Sequence, residues 1–128
     1  MGGPVRRECR WVGSSLRDLK AMPDAVIDGI GFALHQVQTG RTPANVKALK
    51  GYGGGGVLEV LESHDGNAYR AVYTVRFAGA VCVLHAFQKK SRTGRKTPRQ
   101  EMDKVTARLR MAEADHARRQ QSAHRDPG

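Results

Sequence analysis

Two long segments joined by a single dipeptide place the strongest constraint on how this chain folds. Residues 68–77 alternate strictly between apolar side chains on one face and a mixed set that includes Arg70 on the other, which is the period of a β-strand. Only Ala78-Gly79 separates this segment from a second strand-like segment, residues 80–88. Because two residues are too short for a crossover, the two strands must be antiparallel neighbours.

The remaining segments extend this hairpin into an α+β domain. A third strand precedes it through an Asp-Gly turn, a typical hairpin signal. Helices are predicted from apolar spacings of three and four and from capping residues, and Thr97-Pro98 begins the last of them. The predicted order is β-α-α-β-β-β-α, an antiparallel sheet flanked by two N-terminal helices and a C-terminal helix. We expect residues 1–117 to form one domain and residues 118–128 a polar, disordered tail.

Positive charge is the main feature of the composition. The chain has 22 Lys and Arg against 12 Asp and Glu, a net charge of +10, and +7 of this lies from Lys89 onward. Such a field favours polyanionic partners, although a merely solvated surface is the alternative. No apolar run approaches the roughly 20 residues of a membrane span. We therefore expect a cytoplasmic protein with no membrane partner.

Arg70 is the first candidate for binding an anion. It lies in the middle of a predicted strand, where a charge is costly unless the face is open to solvent or to a ligand. Its predicted neighbours on that face are mixed in character, which favours an open face. The alternative is an ion pair with a carboxylate of the sheet, Glu59 or Glu62.

A basic run follows the strand next to that of Arg70. Residues 89–96, KKSRTGRK, carry five positive charges and lead into the start of the last helix, a combination that suits phosphate oxygens. Such a run alone is more often a solvated loop. Its convergence with Arg70, and with Lys47 and Lys50 on a connector over residues 41–56, predicts a basic cleft. The candidate cations of the run are Lys89, Lys90, Arg92, Arg95 and Lys96.

Other chemistry has little support in the sequence. Residues 51–56 formally match G-x-G-x-x-G, but they follow a helix and open a strand, the reverse of a dinucleotide site, so a flexible connector is favoured. The histidines and the two cysteines show no metal-ligand spacing, and no serine or cysteine nucleophile motif is present. We therefore expect no metal and no small-molecule cofactor.

Several segments of the chain, taken in order, resemble a known family. The similarity runs from about Trp11 to Ala114 and resembles the phage-derived, HigB-like branch of the RelE/ParE toxin superfamily. No single segment is diagnostic, and the evidence is their order along the chain. The matching segments are WVGSSLRDL, GFALHQVQTG, KALKG, LEV, YRAVY and LHAFQKKS.

The resemblance implies a toxin of a type II toxin–antitoxin pair, with a helix-turn-helix antitoxin as partner. Better-known members enter the ribosome and cleave mRNA without metal, by attack of a ribose 2′-hydroxyl on the adjacent phosphate. By this resemblance Arg70 stabilises the transition state, Lys89 and Lys90 bind the phosphate, and Lys47 and Lys50 hold the RNA backbone.

The sequence departs from that pattern in its proton-transfer groups. RelE itself has paired lysines on its second strand and a tyrosine near its last helical segment, and neither is present here. His85 and Glu59 are substitutes left open by the sequence. A non-cleaving ParE-like gyrase poison or an inactive RelE-like binding protein therefore stays as an alternative to an mRNA endonuclease. A plain nucleic-acid-binding domain ranks last, because no aromatic stacking surface is evident.

Overall fold

The computed structural model describes residues 6–53, 55–89 and 97–125. It consists of five strands and three helices in a mixed α+β arrangement. None of the helices in these residues is both long and apolar enough to span a membrane. In chain order the elements are β1 (Glu8–Trp11), α1 (Ser15–Lys20), α2 (Asp24–Gln38), β2 (Val46–Ala48), β3 (Val57–His64), β4 (Asn67–Thr74), β5 (Ala80–Lys89) and α3 (Arg99–Arg125).

The five strands form one sheet in the order β1-β5-β4-β3-β2. The antiparallel pairs β3–β4 and β4–β5 confirm the predicted hairpins. Two features of the predicted topology are wrong. The strand β1 runs parallel to β5, so the sheet is mixed. In addition, the segment expected to be a connector contains a fifth strand, β2, which pairs with β3. A three-residue strand is too short to show a period of two in the sequence, and its pairing with β3 defines it.

Each face of the sheet carries its own apolar core. On one face, α1 and α2 pack against alternate residues of the central strands, among them Tyr73 and Val83. On the other face α3 packs through Val105, Leu109 and Ala112. The helix α3 continues to Arg125, through residues that we expected to form a disordered tail. Its polar second half could not be recognised as helical from an apolar stripe that ends near Ala112.

A bulge in the central pair of strands changes which face the residues of β5 occupy. The register pairs Tyr73 with Val83 but Val72 with His85, so Leu84 is the extra residue. Before the bulge, even-numbered residues of β5 face α3. After it, odd-numbered residues do, beginning with His85, which contacts α3 side chains. The bulge therefore places His85, Phe87 and Lys89 on the α3 side of the sheet.

The strand β4 ends at Thr74, three residues earlier than its alternation predicts, because Arg76 bonds to the segment that precedes β3 instead of continuing the strand. Its guanidinium donates hydrogen bonds to the carbonyl oxygens of Gly55 and Gly53, at 2.9 Å each, and to that of Tyr52. The glycine-rich segment is thus fastened to the end of β4. Because Gly56 has a φ of +83° and its missing Cβ would lie 2.8 Å from Arg76 Cγ, glycine suits this close approach.

Candidate functional site

Four charged residues, one from each of β2, β3, β4 and β5, lie on the α3 side of the sheet and form what we call the charged row: Lys47, Glu59, Arg70 and Lys89. The register places Lys47 directly opposite Glu59. Arg70 is opposite Leu61, two residues from Glu59 along β3, and Lys89 is opposite Ala68, two residues from Arg70 along β4. Such diagonal neighbours on one face are about 7–8 Å apart at Cα, within reach of long side chains.

Glu59 is the centre of the charged row. Its side chain is only 1% exposed, and Arg70 Nε lies 3.3 Å from its Oε1, while Lys47 Nζ lies 4.0 Å from the same oxygen. The hydroxyl of Thr97 donates a hydrogen bond of 3.0 Å to Oε2. Both oxygens are therefore engaged, as a buried carboxylate requires. Three cations surround one anion, and this excess of positive charge favours a further anion.

Lys89 shows that the cations of the row act on one another. Partial burial is the main cause that lowers the pKa of Lys89, and the nearby positive charges of Arg70 and Lys47 lower it further, against the opposing effect of Glu59. An ammonium group in this position gains from any anion that approaches it. Lys89 and Thr97, which flank residues 90–96 in the sequence, both lie at the row.

The structure brings together Arg70, Lys89 and Lys47, three of the site residues expected from the sequence. The environment of Arg70 differs from the open face that we expected, since its side chain is 13% exposed and paired with Glu59, which was the alternative considered. Lys50 is exposed beyond β2, and no hydrogen bond or ion pair joins it to the residues the structure describes. The expected cations Lys90, Arg92, Arg95 and Lys96 lie outside the described residues.

A second polar network lies beside the row on the same face. The residues that α3 contributes to it were not singled out from the sequence. His85 Nε2 lies 3.3 Å from Glu101 Oε1, and Arg108 Nη1 lies 3.1 Å from His85 Nδ1. Arg108 also donates to the carbonyl oxygen of Leu84, at 3.1 Å, and to Oγ of Ser14, at 2.9 Å. The carbonyl of the bulge residue therefore has a side-chain donor. Of His85, Glu101 and Arg108, only His85 was singled out from the sequence, as a possible substitute for the missing proton-transfer groups.

Arg108 determines the tautomer of His85. A guanidinium can only donate, so Nδ1 of His85 must accept, and the ring proton of the neutral imidazole is on Nε2. The Nε2–H group then donates to Glu101. Burial is the main cause that lowers the pKa of His85, and Arg108 and Lys104 add to it, while Glu101 opposes them. His85 is thus a neutral hydrogen-bond donor to a carboxylate. Its ring also stacks on Phe87, with centroids 4.9 Å apart.

A cleft of roughly 380 Å³ opens beside this network, where β5 extends past the end of β1. His85, Glu101 and Lys104 line it on the α3 side, and Asp18 lines it from α1. Within the described parts of the chain, no group of three or more His, Cys, Asp or Glu residues is placed to hold a metal ion. The ionisable side chains that line the cleft include the carboxylates of Asp18 and Glu101, the ammonium of Lys104 and the imidazole of His85, groups that can take part in proton transfer.

Comparison with known proteins identifies the family. A search of curated proteins found no match. The family model described as "Phage derived protein Gp49-like (DUF891)" matches residues 17–110. This span contains the whole charged row and the network of His85, Glu101 and Arg108, and it is most of the chain. The chain therefore belongs to the Gp49-like phage-derived protein family, a RelE/ParE-type toxin family.

Proposed function

We propose that this chain is the toxin of a type II toxin–antitoxin system, of the HigB-like branch, and that it inhibits translation by cleaving mRNA on the ribosome. Family membership supports the toxin role at the general level. The observation that carries the RNA-cleaving mechanism is the convergence of Lys47, Arg70 and Lys89 on one sheet face around a single carboxylate. An RNA phosphate brings the negative charge that such a cluster attracts.

The charged row is suited to the transition state of RNA transesterification. When a 2′-oxygen attacks phosphorus, negative charge accumulates on the non-bridging oxygens, and fixed cations stabilise it most effectively where water is excluded. Arg70 is oriented before substrate binds, because Glu59 holds Nε and the carbonyl oxygen of Tyr69 accepts from Nη1 at 3.0 Å. Arg70 is therefore the residue we assign to the phosphorane, with Lys89 beside it and Lys47 on the RNA backbone.

The partners and setting follow from the same proposal. The proposed partners are the ribosome with its mRNA and a cognate helix-turn-helix antitoxin. The proposed location is cytoplasmic, and the proposed reaction uses neither a metal nor a small-molecule cofactor. The remaining cations Lys50, Lys90, Arg92, Arg95 and Lys96 are proposed as RNA contacts.

The test is to map mRNA 5′ ends after brief expression of wild type and of the Arg70→Ala variant. We expect new 5′-hydroxyl ends and growth arrest with wild type, and loss of both with Arg70→Ala. Arg118→Ala is a matched control, since Arg118 is an exposed cation near the far end of α3, and it should behave as wild type. Intact mRNA accompanied by DNA breaks would replace the proposal with a gyrase poison, and no toxicity at all would indicate an inactive binding protein.

A further inference from the structure

The α3 side of the sheet holds two carboxylates near Arg70, and they differ in what their oxygens can still do. Glu59 is buried, and Arg70, Lys47 and Thr97 occupy both of its oxygens. Glu101 is 19% exposed and lines the cleft. Its Oε1 lies 3.3 Å from His85 Nε2 and 3.9 Å from Lys104 Nζ. Glu101 is thus the partly exposed carboxylate of the pair, and it faces the cleft from which a substrate can approach.

Glu101 is also held in place by residues behind it. Its partner His85 is 3% exposed, is stacked on Phe87 and is held through Nδ1 by Arg108. Arg108 in turn bonds the Ser14 hydroxyl, which donates to Asp18 at 2.7 Å. The carboxylate therefore ends a hydrogen-bonded chain that ties α3 to β5 and α1. Such support is what fixes a reacting group to within the tolerance that proton transfer requires.

The cleft adjoins the charged row. His85 is opposite Val72 on β4, and Arg70 is two residues before Val72 on the same face, so His85 and Arg70 are diagonal neighbours. Phe87 lies between His85 and Lys89 along β5 and directly opposite Arg70. A phosphate held by Arg70 and Lys89 would therefore have its neighbouring ribose close to the cleft in which Glu101 lies.

We propose that Glu101 is the general base of the RNA-cleavage reaction and that His85 is the positioning residue that orients it. The inference rests on the proposed function. Glu101 takes the proton of the ribose 2′-hydroxyl, and the 2′-oxygen forms a bond to phosphorus. The bond from phosphorus to the 5′-oxygen breaks, and the ammonium of Lys89 gives that oxygen its proton. The products are a 2′,3′-cyclic phosphate and a 5′-hydroxyl, and exchange with water restores both side chains.

The test is single-turnover cleavage on ribosomes programmed with mRNA, with Glu101→Gln as the main variant. Glutamine keeps an oxygen that can accept from His85 Nε2–H but cannot take the proton. We expect the cleavage rate at saturating ribosome to fall by at least ~100-fold, the usual size of a general-base contribution, while ribosome affinity is unchanged. Glu113→Gln makes the same change about 18 Å further along α3, at an exposed position, and should cleave as wild type.

Variants of His85 test the positioning role. His85→Gln retains a side-chain N–H that can reach the carboxylate, whereas His85→Leu has none. We expect His85→Leu to lose most of the rate lost in Glu101→Gln, and His85→Gln to recover part of it, with equal ribosome affinity throughout. If the role of His85 is purely structural, both variants should instead lose thermal stability, and the folded protein should cleave at the wild-type rate.

The outcomes separate the two proposals. If wild type cleaves and Glu101→Gln cleaves at the same rate, Glu101 is not the base, although the proposed function stands. If wild type itself leaves mRNA intact, the proposed function fails first. Should Glu101→Gln not fold, Glu101→Asp decides instead, because withdrawing the carboxylate by one methylene should slow cleavage by roughly 10–100-fold. A Glu101→Asp rate equal to that of wild type would overturn the inference.

Discussion

The guanidinium of Arg108 on α3 donates to the ring of His85 on β5, with 3.1 Å between Nη1 and Nδ1. This bond has an energetic consequence as well as a geometric one. A second proton on the imidazole would have to go onto Nδ1, the atom that already accepts from a permanent cation. Neutral His85 is therefore part of the stable fold.

The stability of the protein should decrease below about pH 6.5, the ordinary histidine pKa. Burial lowers the pKa of His85 in the folded state, so the unfolded chain binds the proton more readily as pH falls. The free energy of unfolding should fall by at most about 1.4 kcal/mol per pH unit from this group. Urea unfolding at several pH values measures it. The decline should be shallower in His85→Gln and unchanged in His35→Gln, which alters an exposed histidine. Equal slopes in wild type and His85→Gln would contradict the prediction.

Replacing Glu59 with alanine should destabilise the fold by about 3 kcal/mol. The substitution leaves Arg70, which is 13% exposed, without its buried partner and removes the acceptor of the Thr97 hydroxyl. Denaturant unfolding at pH 7 measures the change in the free energy of unfolding. The exposed Glu113→Ala serves as its control and should stay within about 0.5 kcal/mol of wild type. A similarly small effect for Glu59→Ala would mean that the buried ion pair adds little.

Lys47→Ala should weaken ribosome binding in a salt-dependent manner. The side chain of Lys47 is 46% exposed and comes from β2, the edge strand of the sheet. Loss of one phosphate contact should reduce the slope of log affinity against log salt concentration by about 1. Binding measured at several salt concentrations gives that slope. Arg118→Ala removes the same charge from the far end of α3, and an identical slope change in both variants would assign the effect to net charge alone.

The two glycines inside α2 should respond differently to alanine. A Cβ at Gly31 would meet nothing within 4 Å, so Gly31→Ala should stabilise the protein by about 1 kcal/mol through helix propensity. A Cβ at Gly29 would lie 2.5 Å from Oε1 of Glu62, whose other oxygen accepts from Asn45 at 2.6 Å. Gly29→Ala should therefore gain less than Gly31→Ala or lose stability. Thermal unfolding of both variants compares them directly, and equal gains would show that Glu62 moves aside freely.

The sequence predicted the parts of this fold that depend on local periodicity. The alternation of residues 68–77, with the dipeptide Ala78-Gly79, was enough for the β4–β5 hairpin, and the apolar spacing around Ile30 was enough for α2. The parallel pairing of β1 and the short strand around Lys47 are long-range results, decided by which edge of the sheet each segment meets. They leave no periodic signal in the sequence.

The candidate site was likewise predictable from the sequence only in part. Arg70 stood out because a charge in the middle of a strand has an evident cost, and Lys89 stood out because it begins a run of five positive charges. The ion pair with Glu59 was one of two alternatives, and choosing between Glu59 and Glu62 required the register of β3 against β4. Glu101 and Arg108 looked like ordinary polar residues of an amphipathic helix. Their importance arises only from how α3 lies over His85.

The bulge at Leu84 makes the site depend on the backbone course of β5 as well as on the identity of its residues. With strict alternation from Cys82, Lys89 and His85 would lie on the side of α1 and α2, and Ala86 and Gln88 would take their places beside Arg70. A relative of the same length that keeps Arg70, His85 and Lys89 but forms β5 without the bulge would have every residue of the site and not the site itself, whereas a relative with one residue fewer between Cys82 and His85 would place them on the same face by regular alternation. When members of this family are aligned, a single-residue gap at Leu84 is therefore compatible with the same site, because the gap and the bulge compensate each other.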